Sequence, residues 1–272
     1  MDHPIGIFDS GVGGLSVLRP LRTFLPAEEI VYVADTAWCP YGPRPASVVR
    51  ERAFAITETL LERGAKADVV ACNSASTVAL AALRGRYPYV PFVGMEPAVK
   101  PAAAATKTGN VGVLATATTA KGEALARLMD RFGRGVTVHV AVPEGLVELI
   151  EAGQGEAQSA EDLLAPILAH WREAGVDTVV LGCTHYPFAK STIARLAPQV
   201  EIIDPAPAVA RQTVRVLGSI AESAIRSLAG NEDARGGQVS FLTTGDAIAL
   251  RESILRLVPE VWIETAAFGV LS

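Results

Sequence analysis

Residues 179–187 read VVLGCTHYP and indicate the end of a buried strand. The apolar start of this stretch stops at Gly182, and a helical pattern begins after the proline. Four residues able to bind polar groups or carry out acid–base chemistry lie between them: Cys183, Thr184, His185 and Tyr186. In open α/β sheets, ligands bind at the carboxyl ends of strands and beside helix N-termini. Cys183 is therefore a candidate for acid–base or nucleophilic chemistry.

A second stretch of the same design lies roughly 110 residues earlier in the chain. Residues 69–77 read VVACNSAST, in which an apolar strand is followed by Cys72, small polar residues and a helix. A further pair with a similar offset is IGIFDSGVGG from Ile5 and VGVLATATTA from Val111. The chain therefore reads as two copies of one α/β unit, each with a cysteine at a strand end.

The composition indicates a globular protein that does not bind nucleic acid. With 272 residues, about two domains of ~150 residues are expected. Half of the residues are hydrophobic, and the net charge of −5 comes with no basic cluster, which argues against direct nucleic-acid binding. The N-terminus resembles no signal peptide, and the longest uncharged stretch, residues 69–83, is too short to span a bilayer. Three cysteines without export signals suggest reduced thiols in the cytoplasm.

Strands and helices alternate along the whole chain, which predicts parallel sheets with helices on both faces. We expect an α/β fold in which two pseudo-symmetric parallel-sheet domains face each other across an active-site cleft. The first domain is predicted to comprise residues 1–97 and 207–272, and the second residues 98–206. Two late strands, at 239–243 and 261–265, are assigned to the first domain.

The first strand ends in the glycine-rich turn DSGVGG, at residues 9–14. Glycines at a strand-to-helix turn let the backbone approach a ligand closely. The turn is not the dinucleotide fingerprint, because Ser16 occupies the third glycine position, and no Gly-Lys-Ser/Thr follows as in a P-loop. Asp9 is either a helix-capping carboxylate or a site residue. With no cofactor fingerprint, no cofactor is expected.

The cysteines and histidines could also serve a metal site or a cysteine hydrolase. No Cys-x-x-Cys or His-x-x-x-His spacing occurs, so no metal site is predicted. Cys183 and His185 could belong to a cysteine hydrolase, but that reading leaves the matching Cys72 loop unexplained. Cys39 has no repeat partner and no carboxylate or histidine close in sequence, so a structural role is predicted for it.

Two cysteines at equivalent strand ends suggest a two-base mechanism. Inversion of a carbon centre needs a proton removed from one face by a thiolate and returned to the other by a thiol. Free cysteine has a pKa near ~8.5, and helix N-termini at Cys72 and Cys183 are expected to favour the thiolate. Asp9 is the expected proton-exchange partner of Cys72, and His185 with Glu151 that of Cys183. Backbone N–H groups and hydroxyls after each cysteine would hold a substrate carboxylate.

Six stretches distributed over nearly the whole chain carry a family resemblance: FDSGVGGLSVL from Phe8, ADTAWCPYGPR from Ala34, VVACNSAS from Val69, VVLGCTHYP from Val179, EIIDPA from Glu201 and TTGD from Thr243. In this combination and order, the chain resembles the glutamate racemases of the aspartate/glutamate racemase superfamily. The resemblance implies a cofactor-independent enzyme that makes D-glutamate for peptidoglycan, and hence for cell wall biogenesis and cell shape. It also implies a bacterial cytoplasmic protein, often a homodimer.

The resemblance assigns roles to individual residues. It implies that Cys72 takes the proton from D-glutamate and Cys183 from L-glutamate. The implied substrate-binding residues form four pairs: Asp9 and Ser10, Tyr41 and Gly42, Asn73 and Ser74, and Thr184 and His185. Weaker candidates are Glu151, Asp35 and either Thr116 or Thr119.

Two alternatives remain open at this point. The first is an aspartate or hydantoin racemase, although the motifs CNSAS, CTHYP and DSGVGG favour a glutamate racemase. The second is a catalytically silent binding protein of the same fold, against which the intact Cys72 and Cys183 argue.

Overall fold

The computed structural model describes residues 3–133, 135–220, 237–259 and 267–270, which form two parallel sheets. The six-stranded sheet has the order β10-β9-β2-β1-β3-β4. Its strands are β1 (Ile5–Asp9), β2 (Ile30–Ala34), β3 (Ala67–Val70), β4 (Phe92–Gly94), β9 (Val239–Thr243) and β10 (Ala267–Val270). The four-stranded sheet has the order β6-β5-β7-β8. Its strands are β5 (Asn110–Ala115), β6 (Thr137–Ala141), β7 (Thr178–Gly182) and β8 (Glu201–Ile203).

Eleven α-helices lie in the described part of the chain. They are α1 (Leu15–Phe24), α2 (Ala46–Glu62), α3 (Asn73–Arg86), α4 (Val99–Ala105), α5 (Ala117–Ala120), α6 (Glu123–Phe132), α7 (Leu146–Glu151), α8 (Gln158–Glu173), α9 (Lys190–Leu196), α10 (Ala206–Ile220) and α11 (Ala247–Leu257). None of them combines the length and apolar character needed to cross a bilayer.

The two sheets confirm the predicted α/β fold with its internal duplication. All of the strand pairs recorded in both sheets are parallel. The order β2-β1-β3-β4 in the first sheet matches β6-β5-β7-β8 in the second, so β3 and β7 are equivalent strands. The two cysteines that follow β3 and β7 therefore occupy equivalent positions.

The C-terminal strands extend the first sheet beyond β2. Strand β9 pairs with β2 in parallel, and β10 pairs with β9. The strand predicted at 261–265 lies outside the described residues. The domain boundaries at 97/98 and 206/207 stay a prediction.

The apolar runs of the central strands are explained by burial on both faces of the sheet. Side chains alternate across a strand, so Ile7 packs into a cluster with Leu18 of α1, while Phe8 packs with Ile56 of α2 on the other face. All five residues of β1 are buried. The next residues along the chain leave the sheet at its carboxyl edge, where the polar turn begins.

The segment after Cys183 differs from the sequence prediction that a helix begins directly after Pro187. A 3₁₀ turn covers Tyr186–Ala189, and α9 begins only at Lys190. Backbone bonds from Tyr186 to Cys183 and from Phe188 to His185 span three residues each, as in a 3₁₀ helix. The regular α-helix therefore starts three residues after Pro187.

Candidate active site

Cys72 lies between the end of β3 and the start of α3. Its backbone is extended, and it occupies the N-cap position of α3. The backbone N–H of Ala75, in the first turn of the helix, points to the sulfur of Cys72. The side chain is 5% exposed. The predicted placement of a thiol at a helix N-terminus is therefore found at Cys72.

The charge state of Cys72 differs from the sequence expectation. Burial raises the pKa of the Cys72 thiol well above its ordinary value, and the neighbouring Asp9 carboxylate adds to this effect. The Ala75 N–H acts in the opposite direction but is outweighed. Burial and Asp9 thus oppose the expected bias towards thiolate at this cysteine and favour the protonated thiol.

Asp9 is fully buried at the end of β1. Its Oδ2 accepts a hydrogen bond from the Gly14 N–H at 2.7 Å and one from the Thr184 hydroxyl at 3.3 Å. Its Oδ1 has no partner among the described residues. Burial raises the pKa of Asp9, although the positive charge of His185 and a hydrogen bond with Cys72 oppose this. One carboxylate oxygen is thus held in place by two donors, while the other is buried without a partner among the described residues.

Cys183 follows β7 and is the first member of a chain of polar contacts. Its Sγ lies 3.8 Å from Nδ1 of His185. The other ring nitrogen, Nε2, lies 2.6 Å from Oε1 of Glu151. The Val12 N–H donates to the same Oε1 at 2.9 Å. The structure therefore brings together the three residues that the sequence analysis grouped on this side.

His185 and Glu151 form an ion pair. Burial acts to lower the pKa of His185, but hydrogen bonds with Cys183, Cys39 and Glu151 outweigh it and hold that pKa well above the ordinary value. Burial acts to raise the pKa of Glu151, but the contacts with His185 and the Val12 N–H prevail and lower it. An imidazolium therefore faces Cys183 and a carboxylate faces the imidazolium.

The glycines of residues 9–14 are needed because the turn packs directly against this pair. A Cβ added at Gly13 would lie 2.3 Å from Nδ1 of His185. One added at Gly11 would lie 1.9 Å from Oε1 of Glu151. Real Cβ atoms do not approach other atoms this closely. The turn of the first unit can therefore pack against His185 and Glu151 of the second unit only if positions 11 and 13 are glycines.

The predicted substrate-binding residues after Cys72 lie buried beside α5. Asn73 is 2% exposed, and neither atom of its amide has a partner among the described residues. Ser74 Oγ lies 2.9 Å from Thr116 Oγ1, which in turn lies 3.0 Å from Thr119 Oγ1. The free amide of Asn73 is therefore available to a polar ligand, while the three hydroxyls form a line that joins the two units.

Tyr41 and Gly42 belong to a loop that is fixed by Asp35. The Tyr41 hydroxyl donates to Oδ2 of Asp35, and Arg52 donates to both oxygens of the same carboxylate at 2.9 Å. The Thr118 hydroxyl donates to the Gly42 carbonyl at 2.7 Å. Both oxygens of Asp35 are thus engaged in holding the loop.

The remaining predicted residues lie close to the same turn. Thr184 and His185 are each 2% exposed, and the Ser16 hydroxyl donates to the Thr184 carbonyl at 2.9 Å. Ser10 is buried, with its Oγ 4.0 Å from Cys39 Sγ.

Cys39 lies in this cluster of polar side chains, although the sequence predicts a purely structural role for it. Its Sγ lies 3.5 Å from Oε1 of Glu151, so it reaches the ion pair described above. The prediction of a purely structural role rested on the absence of polar partners nearby in sequence, but Glu151 lies 112 positions further along the chain. Only the packing of the 38–45 loop against α7 brings the two residues together.

The sequence of this chain is similar to those of known racemases over most of its length. Residues 13–213 match the sequence model of the Asp/Glu/Hydantoin racemase family. The chain belongs to this family. The glutamate racemase of Pseudomonas paraeruginosa is 49% identical over 269 residues, which is 98% of this chain and 97% of the relative. That of Herpetosiphon aurantiacus is 50% identical over 246 residues, which is 90% of this chain and 94% of the relative.

Solved structures of racemases share the fold over the full length. Escherichia coli glutamate racemase, solved with L-glutamate and the activator UDP-MurNAc-ala, is 33% identical with a TM-score of 0.81, covering 99% of this chain and 98% of that one. The Thermus thermophilus glutamate racemase, solved with beta-chloro-D-alanine, is 36% identical with a TM-score of 0.78, covering 100% of this chain and 97% of that one. The family and the fold agree with the resemblance found in the sequence.

Proposed function

We propose that this racemase interconverts L-glutamate and D-glutamate by proton transfer between Cys72 and Cys183, without a cofactor. The observation that carries the proposal is the placement of the two thiols after the equivalent strands β3 and β7, each beside its own acidic or cationic partner. The choice of glutamate as substrate comes from the glutamate racemases described above, which are about 50% identical to this chain over most of its length.

On the Cys183 side, the imidazolium of His185 lies 3.8 Å from the sulfur. A positive charge at this distance stabilises the thiolate that must remove the α-proton of L-glutamate. Glu151 holds the charge on the ring and fixes its orientation. His185 and Glu151 thus prepare Cys183 as the base for the L-to-D direction.

On the Cys72 side, the thiol keeps its proton because of burial and the Asp9 carboxylate. A protonated Cys72 is ready to deliver a proton to the opposite face of the carbanion. In the D-to-L direction, the Asp9 carboxylate, which contacts Cys72, accepts the thiol proton, so that the resulting Cys72 thiolate can remove the α-proton of D-glutamate. Before L-glutamate binds, the two thiols therefore have different partners: the imidazolium of His185 lies beside Cys183, and the Asp9 carboxylate lies beside Cys72.

Groups next to the two thiols hold the carboxylates and the developing charge of the substrate. The unpartnered amide of Asn73 lies at the N-terminus of α3, where backbone N–H groups favour an anion. The hydroxyls of Ser74 and Thr184 are buried beside the cysteines, and Ser10, Tyr41 and Gly42 complete the proposed binding set. Preorganised donors of this kind stabilise an enolate-like transition state.

The proposal extends to the biological role. D-glutamate produced here would supply peptidoglycan synthesis in the cytoplasm, and thereby cell wall biogenesis and cell shape. A homodimer is the proposed assembly.

The test is incubation of the purified chain with L-glutamate in heavy water, without added cofactor. We expect optical activity to decay to zero while one deuterium enters at the α-carbon of both enantiomers. A matched Cys72→Ser, Cys183→Ser double variant should do neither. Loss of optical activity without deuterium incorporation, or no reaction with glutamate, would contradict the proposal.

A further inference from the structure

Cys39, Glu151 and His185 form a cluster of three potential metal ligands. One ligand atom from each residue lies within 4.8 Å of the other two. Sγ of Cys39 and Nε2 of His185 both approach the same atom, Oε1 of Glu151, at 3.5 and 2.6 Å. The spacing of cysteines and histidines in the sequence predicts no such site, because the ligands come from three distant segments.

We propose that this cluster is an inhibitory site for a thiophilic divalent cation, with Zn²⁺ as the ion that it fits best. Zinc takes thiolate, imidazole and carboxylate ligands, and three protein ligands leave its fourth position open. Tetrahedral bonds of ~2.3 Å to sulfur and ~2.0 Å to nitrogen or oxygen place ligand atoms about 3.5 Å apart. The Cys39–Glu151 distance already has this value.

One small rearrangement is needed to admit the ion. Nε2 of His185 and Oε1 of Glu151 must move apart by about 1 Å from their hydrogen-bonded distance. The Glu151 side chain is 24% exposed and can make this shift, whereas His185 is 2% exposed and fixed. The exposed part of Glu151 also provides the entry route.

The charges of the cluster suit a dication. Zinc binding displaces the thiol proton of Cys39 and the Nε2 proton of His185, so that two protons leave as two positive charges arrive. The site keeps its overall charge. Mg²⁺ and Ca²⁺ prefer oxygen ligands and are not expected to bind here.

Occupation of the site would block the proposed reaction. The ion would engage Glu151 and Nε2 of His185, and the imidazolium facing Cys183 would no longer exist. Inhibition rests on the proposed function, but ion binding does not. Ion binding can be measured without turnover, which separates the two.

The test uses Co²⁺ as a spectroscopic substitute for Zn²⁺, added to the metal-free full chain. We expect one equivalent of Co²⁺ to produce a sulfur-to-cobalt charge-transfer band that Zn²⁺ abolishes and Mg²⁺ does not. Cys39→Val should lose the band and weaken Zn²⁺ binding by at least roughly 10–100-fold, the loss caused by removing even an outer-shell partner. Zn²⁺ should no longer inhibit the racemisation that remains in this variant, measured against the same variant in chelator.

Cys183→Ser is the matched control, because it removes the other thiol near His185 and leaves the three proposed ligands in place. It should retain the band and the Zn²⁺ affinity. A charge-transfer band that persists in Cys39→Val would overturn the proposal, and its loss in Cys183→Ser would then identify Cys183 as the sulfur ligand. If Cys39→Val fails to fold, Cys39→Ser provides the same comparison, since a serine hydroxyl does not replace a thiolate ligand. Co²⁺ binding without any Zn²⁺ inhibition of the parent would leave the site intact but refute its inhibitory role.

Discussion

Nε2 of His185 lies 2.6 Å from Oε1 of Glu151, and Nδ1 of the same ring lies 3.8 Å from Sγ of Cys183. Glu151 thus acts on the thiol only through the imidazole. This makes it a positioning residue, whose loss should weaken the base without removing it.

Replacement of Glu151 by glutamine is therefore expected to slow racemisation by roughly 10²–10⁴-fold or less, without abolishing it. The hydrogen bond and charge of Glu151 contribute to the raised pKa of His185. Without them the imidazolium loses its proton at lower pH, so the alkaline limb of kcat/KM against pH should move to lower pH. A profile that coincides with that of the parent would remove Glu151 from the mechanism.

The corresponding change on the other side is Asp9→Asn. The amide keeps an acceptor for the Gly14 N–H but cannot exchange a proton with Cys72. Turnover should fall by roughly 10²–10⁴-fold or less, with some activity remaining. Steady-state rates in both directions measure this, and an unchanged kcat would show that Asp9 has only a structural role.

Gly13→Ala tests the close packing of the turn at residues 9–14 against His185. The added methyl group would lie 2.3 Å from Nδ1 of His185 and must displace the ring. We expect a large loss of activity in a folded protein. Gly85→Ala is the matched control, because its Cβ meets nothing within 4 Å, and alanine in an exposed helix should stabilise the protein by up to about 1 kcal/mol. Equal activity in the two variants would contradict the packing argument.

Much of this site is predictable from sequence because the relevant signals are local. Each apolar strand, its terminal cysteine and the following polar residues lie within about ten positions, and repetition of the pattern identifies Cys72 and Cys183 as equivalent. Contacts between the two units carry no such signal. The approach of Cys39 to Glu151 depends on the tertiary packing of segments 112 positions apart.

The protonation state of Cys72 was equally beyond the sequence. A helix N-terminus alone favours a thiolate, and this is what the local pattern predicts. The raised pKa of Cys72 depends on burial and on the Asp9 carboxylate, which comes from a different strand.

Asp68 provides a prediction about stability rather than catalysis. It is fully buried, the Thr57 hydroxyl donates to Oδ2 at 3.0 Å, and Oδ1 has no partner among the described residues. Burial raises the pKa of Asp68 to about 7, against ~3.9 in an unfolded chain. Between these values the folded state binds more protons than the unfolded state, so the free energy of unfolding falls as pH rises.

Replacement of Asp68 by asparagine removes this ionisation. The variant should gain up to about 4 kcal/mol in unfolding free energy relative to the parent at pH 8, and clearly less at pH 5. Urea unfolding at the two pH values measures the difference. An effect of the same size at both would show that ionisation of Asp68 is not the cause.

The most direct test of the two-thiol mechanism uses a glutamate analogue with a leaving group at the β-carbon. Elimination from such an analogue needs only removal of the α-proton, with no proton returned to the other face. Cys72→Ser and Cys183→Ser should each lose racemisation, because a serine hydroxyl is too weak an acid to replace a thiol. Each variant keeps one thiol and should eliminate from one enantiomer. By the family resemblance, Cys72→Ser should act on the L-analogue and Cys183→Ser on the D-analogue.

The measurement is the initial rate of elimination for both enantiomers with both variants. The account predicts opposite preferences in the two variants. The same preference in both, or racemisation at near the parent rate in either, would contradict it.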